Sequence, residues 1–300
     1  MNTTAATSRA RVGKRRRLLS FLRYLRRNPI MITGLLILLA LSLFVILGYL
    51  FYDTSTVEAL SVPANQRPGS EFPFGTDRQG RDILAVIIVG TPLTLRIGLI
   101  AGSVGVFVGM ILGFISAYAG GWLDSVIKTF VDILLTVPQL LVLVLIAVSI
   151  PKGGLTVDQM ALAVAVLAWR WPARTIRSQV LVMREKGYVQ IARLSGMSNL
   201  GIIFKEMMPN LAPYIFASFV SAVAAAILAS IGLEALGLGP LDSPTLGMTI
   251  YWNIWYSSIL HGWWWWLVPP IAVIILLFVG LFMVTAGLDE IANPRLRRQM

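Results

Sequence analysis

The sequence predicts an all-α polytopic membrane protein with about six transmembrane helices, and three observations carry that prediction. Of its 300 residues, 57% are hydrophobic and only 13% charged, more apolar surface than a soluble domain can hide behind a charged exterior. Apolar runs of about 20 residues, the length a bilayer core requires, recur along the chain. Basic residues gather beside these runs on one predicted side of the membrane.

The first run, 30–52, follows a stretch carrying Arg9, Arg11, Lys14, Arg15, Arg16, Arg17, Arg23, Arg26 and Arg27 without an acid. That stretch is too long and too basic to precede a cleaved signal peptide, so 30–52 is a retained first span. Further spans are expected at 97–118, at 129–150 (which contains Asp132 and Pro138), at 159–177, at 211–233 and at 264–287. The 159–177 run is short and meets Arg170 and Arg174, yet deleting it would carry Arg295, Arg297 and Arg298 to the outside. Six spans put both termini and the basic 178–210 connection in the cytoplasm. The outside then holds 53–90, 151–158 and 234–262, which contain Asp53, Glu58, Glu71, Asp77, Asp82, Asp158, Glu234 and Asp242.

Small residues mark close helix packing. Gly98, Gly102, Gly105, Gly109 and Gly113 form a stripe through the second span, read as a packing surface. Ala217, Ser218, Ser221, Ala222, Ala225, Ala229 and Ser230 form another in the 211–233 span, where the serines either pack or line a wet path.

Several function classes fall away. The net charge of +11 lies beside apolar spans, so it reports orientation and contact with lipid rather than a nucleic-acid partner. With no cysteine there is no disulfide framework and no thiolate site, and His261 alone supports neither a His-rich metal site nor a triad. No GxxxxGK[ST] occurs, so any ATP is bound elsewhere.

The most informative stretch runs from Tyr188 to Pro213. A helix-compatible start at Val189, Ala192 and Arg193 is interrupted by Gly196. Ser198 and Asn199 then form an N-cap-like pair before an apolar set at Leu200, Ile203 and Met207, with Ile202 and Phe204 beside it. Pro209 is expected to end that second helix and Pro213 to open the next span. A connection between spans needs only a few residues, so this long, structured one predicts a docking partner.

Here the chain resembles a known family. The stretch is similar to the EAA loop of binding-protein-dependent ABC transporter permeases (Glu-Ala-Ala, three residues, Gly, nine residues, Ile-x-Leu-Pro). Ala192, Gly196 and Pro209 match it, whereas Gln190, Ile191, Glu206 and Met208 depart from it. Phe74 to Asp82 resembles the GTDxxGRD signature of the C-type permease subunit of oligopeptide, dipeptide and nickel importers. Trp171 to Arg177, Glu234 to Gly239, Pro244 to Gly247, Trp264 to Pro270 and Leu288 to Arg297 are similar as well.

The resemblance implies a MetI-like type I ABC importer permease fold in the inner membrane. It implies an ATPase-coupling loop carried by Ala192, Gly196, Ser198, Ile203, Phe204, Glu206 and Pro209, and an external signature at Gly75, Thr76, Asp77, Gly80, Arg81 and Asp82. The implied partners are a paralogous permease, two ATP-binding cassette ATPase subunits and an extracytoplasmic solute-binding protein. ATP and Mg are bound by the ATPases, with no cofactor in this chain. The implied cargo is a peptide, an oligosaccharide or a nickel chelate. The division that follows is a basic cytoplasmic tail at 1–28, a first transmembrane helix with an external segment at 29–90, a MetI-like transmembrane domain at 91–290 with its coupling loop at 185–210, and a cytoplasmic tail at 291–300.

Other residues carry expectations of their own. Ser218, Ser221 and Asp132 are candidates for the pathway, with Asp132 read alternatively as interfacial and paired with Lys128 or a loop arginine. Arg170, Arg174, Arg177 and Arg184 form a basic stripe for lipid phosphates or for acidic groups on the ATPase. Trp252, Trp255 and Trp263 to Trp266 are expected in an aromatic belt, with a stacking platform for a sugar or aromatic peptide as the alternative, and Glu234 and Asp242 where substrate or a binding protein arrives. An ion-coupled secondary transporter is the alternative, which Asp132 alone supports thinly. A membrane enzyme lacks the clustered His, Cys or carboxylates it needs.

Overall fold

The computed structural model describes residues 28–150 and 155–292, so most of both expected tails, and Lys152, lie outside the described residues. The helices are α1 (Pro29–Phe51), α2 (Ile83–Ala119), α3 (Gly121–Thr136), α4 (Gln139–Ser149), α5 (Val157–Ala168), α6 (Arg170–Arg184), α7 (Gly187–Leu194), α8 (Asn199–Ala235), α9 (Leu246–Trp255) and α10 (Trp264–Ala292). Four of the described helices, α1, α2, α8 and α10, are long and apolar enough to cross a bilayer, five spans if the bent pair α3 and α4 counts as one. α5 is shorter and apolar. It runs through Trp169, itself in helical conformation, into α6.

Three expectations change. The second span begins at Ile83 rather than 97, because the Asp82 carboxylate caps it by accepting from the Leu84 N–H at 2.9 Å, and because Ile83, Ala85, Val86, Ile87 and Ile88 are all buried. The 129–150 run is not one straight helix. It bends by 83° between Thr136 and Gln139, where Pro138 removes a backbone donor. Pro209 does not end a helix: α8 runs without interruption from Asn199 to Ala235. Residues Ile202–Met207 widen into a π turn in which the Met208 N–H reaches the Ile203 carbonyl, and this wider turn gives the Pro209 ring room that an ordinary α turn denies it.

α2 is the central post. Its glycines let other backbones close in. A Cβ on Gly98 or Gly102 would meet Ile227 or Val223 of α8 at 2.4 and 2.7 Å, and one on Gly105 or Gly109 would meet the α5–α6 junction at Ala168 or Pro172 at 2.7 Å. The stripe is therefore a packing surface. For Gly109 the obstacles include the Ala173 nitrogen at 2.8 Å and the Trp169 carbonyl at 2.9 Å, backbone atoms that cannot swing aside. Gly109→Leu is expected to cost at least the upper end of the usual overpacking range, about 3 kcal/mol, and to show as lost folded yield and a lower unfolding midpoint in detergent.

The bundle has two distinct ends. One carries α7 and the start of α8, seated on Phe114, Ala117, Ile176, Val180 and Leu211. The other carries the 53–82 segment and α9. There Ile83, Ile87, Trp265 and Trp266 form a core with Phe74 and Trp263 against it. The tryptophans thus divide: Trp265 and Trp266 are core, whereas Trp255 and Trp264 are exposed as a belt requires.

Candidate functional site

The α7–α8 corner is built by local rules. α7 closes in a Schellman turn, with Gly196 at φ +76° donating to the Arg193 carbonyl at 3.1 Å and Met197 donating to the Ala192 carbonyl at 3.1 Å. A Cβ on Gly196 would meet nothing within 4 Å, so the backbone angle rather than space selects glycine. Ser198 starts α8, its hydroxyl accepting from the Gly201 N–H at 3.2 Å.

α7 and the first turns of α8 are apolar on two faces. Val189, Ala192, Ile202 and Met207 point down into the core. On the other side Ile191 is 66% exposed, Leu194 89%, Leu200 67% and Phe204 59%. Large apolar side chains gathered on α7 and the first turns of α8, at one end of the bundle, mark an interaction surface. Of the residues expected to couple, Phe204 lies on this bare face. Ala192 is buried beneath it, and Ile203 is partly buried in the core. Gly196, Ser198 and Pro209 shape the backbone, and the main-chain carbonyl of Glu206 accepts from Asn210 Nδ2 at 2.6 Å. Ile191 and Leu194 were missed by sequence reasoning. Their signal was an i, i+3 apolar pair offset from the i, i+3 pair Val189 and Ala192.

A cavity of about 860 Å³ lies between the α3–α4 break, the α5–α6 junction, α8 and α10. Its polar lining includes Gln139, Arg174, Thr175, Tyr214, Ser218, Ser221 and Asp289. Ser218 and Ser221 are therefore together, and Asp132 is not with them. It lines a neighbouring pocket of about 180 Å³ with Lys128, Arg174 and Arg177, and faces Arg174 at 3.7 Å. Its ion-pair partner is Arg174 on α6, rather than the Lys128 or loop arginine expected.

Three arginines of the α6 basic stripe, Arg170, Arg177 and Arg184, turn inward, whereas Arg174 stays exposed. Arg177 holds Asp124 through two contacts of 2.6 Å, and Arg184 donates to the Ala117 carbonyl at 3.0 Å. Arg170 is 4% exposed. Its Nη1 donates to the Leu134 carbonyl at 2.5 Å, its Nη2 to Gln139 Oε1 at 3.3 Å and its Nε to the Leu167 carbonyl at 2.9 Å. In an unbroken helix the Leu134 carbonyl would take the N–H of residue 138, which proline lacks. Arg170 replaces that missing donor and so fixes the break beside the cavity.

At the opposite end the GTDxxGRD segment is a folded knot rather than an open site. Thr76 Oγ1 donates to the Pro63 carbonyl at 2.6 Å and accepts from the Gln66 N–H at 2.8 Å. Gly75 at φ +73° leaves room for Trp265, whose indole donates to the Thr76 carbonyl at 3.3 Å. Gly80 at φ +69° passes against the Val62 carbonyl, where a Cβ would sit at 2.6 Å. Arg81 closes the loop through its backbone, its N–H donating to Asp77 Oδ1 at 2.9 Å. Asp82 caps α2 and takes the Tyr52 hydroxyl, and the burial and neighbouring carboxylate that follow push the Tyr52 phenol up.

Burial pushes the Asp77 carboxyl up to about 6, against the pull of the Arg81 N–H, the Arg81 charge and the Gln79 N–H. A raised value means that the folded knot holds this proton more tightly than the unfolded chain does. The stabilisation is full below the ordinary carboxylate range, near pH 4, and is lost as pH rises through about 6. Amides of 76–82, corrected for intrinsic exchange, are expected to be better protected at pH 5 than at pH 7, and Asp77→Asn to remove the difference.

Glu234 corrects another expectation: it is fully buried under α9, not placed to meet a substrate or a binding protein.

Residues 105–298 match the family described as "Binding-protein-dependent transport system inner membrane component", and residues 18–68 match "N-terminal TM domain of oligopeptide transport permease C". The chain is 32% identical to "Dipeptide transport system permease protein DppC" of Bacillus subtilis (strain 168), covering 92% of this chain and 85% of the relative. It is also 32% identical to "Oligopeptide transport system permease protein OppC" of the same organism, covering 91% and 88%. Among solved structures, one described as "Inward facing conformations of the MetNI methionine ABC transporter" superposes with a TM-score of 0.55 at 17% identity, over 70% of this chain and 95% of that one, a likeness of fold. The cavity flanked by small-residue helices, the bare apolar corner and these matches converge: the chain belongs to the binding-protein-dependent transport system inner membrane component family, the membrane permeases of ABC importers.

Proposed function

We propose that this permease forms one half of an importer for di- or oligopeptides, with ATPase subunits docked on the α7–α8 corner. The observation that carries the reading is the row Ile191, Leu194, Leu200 and Phe204, exposed on a segment otherwise bolted to the core. Such a row suits a cleft on a neighbouring protein. α8 is continuous from this corner to the wall holding Ser218 and Ser221, so a push on the corner is passed along one helix to the cavity wall. The basic corner then faces the cytoplasm, in line with the positive-inside rule, and the GTDxxGRD knot faces out, where a binding protein delivers cargo.

Peptides are the cargo named for the relatives, and the lining suits them: serine and tyrosine hydroxyls, Gln139, Arg174 and Asp289 offer partners for a peptide's amides and charged ends. The paralogous permease supplies the other wall. Proteoliposomes containing both permeases, the ATPases and the binding protein should accumulate labelled dipeptide only with ATP inside and binding protein outside. Accumulation driven by an ion gradient without ATP would favour a secondary transporter instead.

A further inference from the structure

Glu234, at the end of α8 opposite the α7–α8 corner, is fully buried and both of its carboxylate oxygens are without a hydrogen-bond partner. It lies under the first turn of α9, where the Thr245 hydroxyl and the Gly247 N–H turn toward it but make no well-formed hydrogen bond, too little to satisfy a carboxylate. The carboxylate occupies the space a side chain at 247 would need, since a Cβ on Gly247 would sit 1.8 Å from Glu234 Oε2. Gly239 closes the other side, its Cβ position 2.6 Å from Glu234 Cγ.

No opposite charge comes near. Glu234 is the one charged residue in 208–235, and neither α4 nor α9 contains any. α2 and α5 offer Arg96 and Asp158, which are exposed and paired with each other at 2.8 Å. Asp242, on the connection to α9, is exposed, and the acids of α10, Asp289 and Glu290, lie at its far end. A buried carboxylate with no cation or full set of donors costs more than it returns, and the group takes a proton instead.

We propose that Glu234 is a proton-binding site: a neutral carboxylic acid while α9 is docked on the end of α8, and a carboxylate only when that contact opens to water. The ligand is a proton taken from the aqueous phase at that end of the bundle. The sign follows from linkage. The docked state binds the proton more tightly than the open state, so acid holds the contact shut and rising pH releases it. In the importer reading this end of the pathway must open to receive cargo, and one proton is released each time it does. That consequence rests on the transport reading, whereas the proton site itself does not.

The test uses the full chain in lipid nanodiscs. Infrared spectra at pH 7 should show a protonated carboxyl band that Glu234→Gln removes. Hydrogen exchange of the 245–249 amides, compared at each pH between wild type and Glu234→Gln, should show wild-type protection falling about tenfold per pH unit once ionisation sets in, with the variant flat. If Glu234→Gln fails to fold, Gly247→Ala, which fills the carboxylate's space, should expose the same amides at every pH. A spectrum with Glu234 ionised at pH 7, or exchange with the same pH slope in wild type and Glu234→Gln, overturns the proposal. Loss of ATP-driven uptake elsewhere would leave these readouts untouched.

Discussion

Leu200→Glu together with Phe204→Glu is expected to leave the permease folded and inserted while stripping it of its ATPase subunits. Both side chains lie on the bare face, 67% and 59% exposed, so the charges enter water and the core beneath, Val189, Ile202 and Met207, is untouched. In the docked complex the same charges would be buried against an apolar cleft without partners. Losing two central apolar anchors typically costs about 2–4 kcal/mol each, and two charges add a desolvation penalty, so affinity should fall by roughly a thousandfold or more. Co-purification and ATP hydrolysis stimulated by the permease are the readouts. A charge at Ile203 is a poorer test, because that side chain is partly buried in the core and its loss would damage the corner itself.

Arg170→Ala is expected to have the largest effect on the fold around the cavity. It removes the donor that satisfies the half-buried Leu134 carbonyl at the helix break, a loss of about 1–3 kcal/mol. The α3–α4 angle should relax and the cavity wall formed by residues 135–139 should move. The cause is separable by a second change. Pro138→Ala restores a backbone N–H able to reach Leu134, so the cost of Arg170→Ala should shrink markedly in that background. Equal costs in both backgrounds would show that Arg170 acts through packing or charge alone.

Much of this was legible in the sequence because bilayer physics writes itself into long apolar runs and into the placement of charge. α1, α2, α8 and α10 are visible for that reason, and the glycine stripe of α2 was read correctly as packing. What escaped depends on which partner a group finds across the fold. Arg170 looks like one more member of a basic stripe until the orphan carbonyl made by Pro138, thirty-two residues earlier, is placed beside it. Pro209 reads as a helix stop because the sequence gives no sign of the π turn that accommodates it. Glu234 looks like an exposed acid at a loop edge, and only Gly239 and Gly247 folding over it reveal its burial. At the α7–α8 corner the turn at Gly196 was legible from glycine alone. The choice of docking face was not, since both faces are apolar and only the packing against α2 and α6 tells them apart.

The chain contains no cysteine, so one introduced at Phe204 is chemically unique, and it tests the central claim most directly. Loaded with a photo-crosslinker in intact native membranes, it should react with reagent only from the cytoplasmic side and form its main adduct with a P-loop ATPase subunit. Adducts confined to lipid, or labelling by an impermeant reagent from outside the cell, would contradict the account.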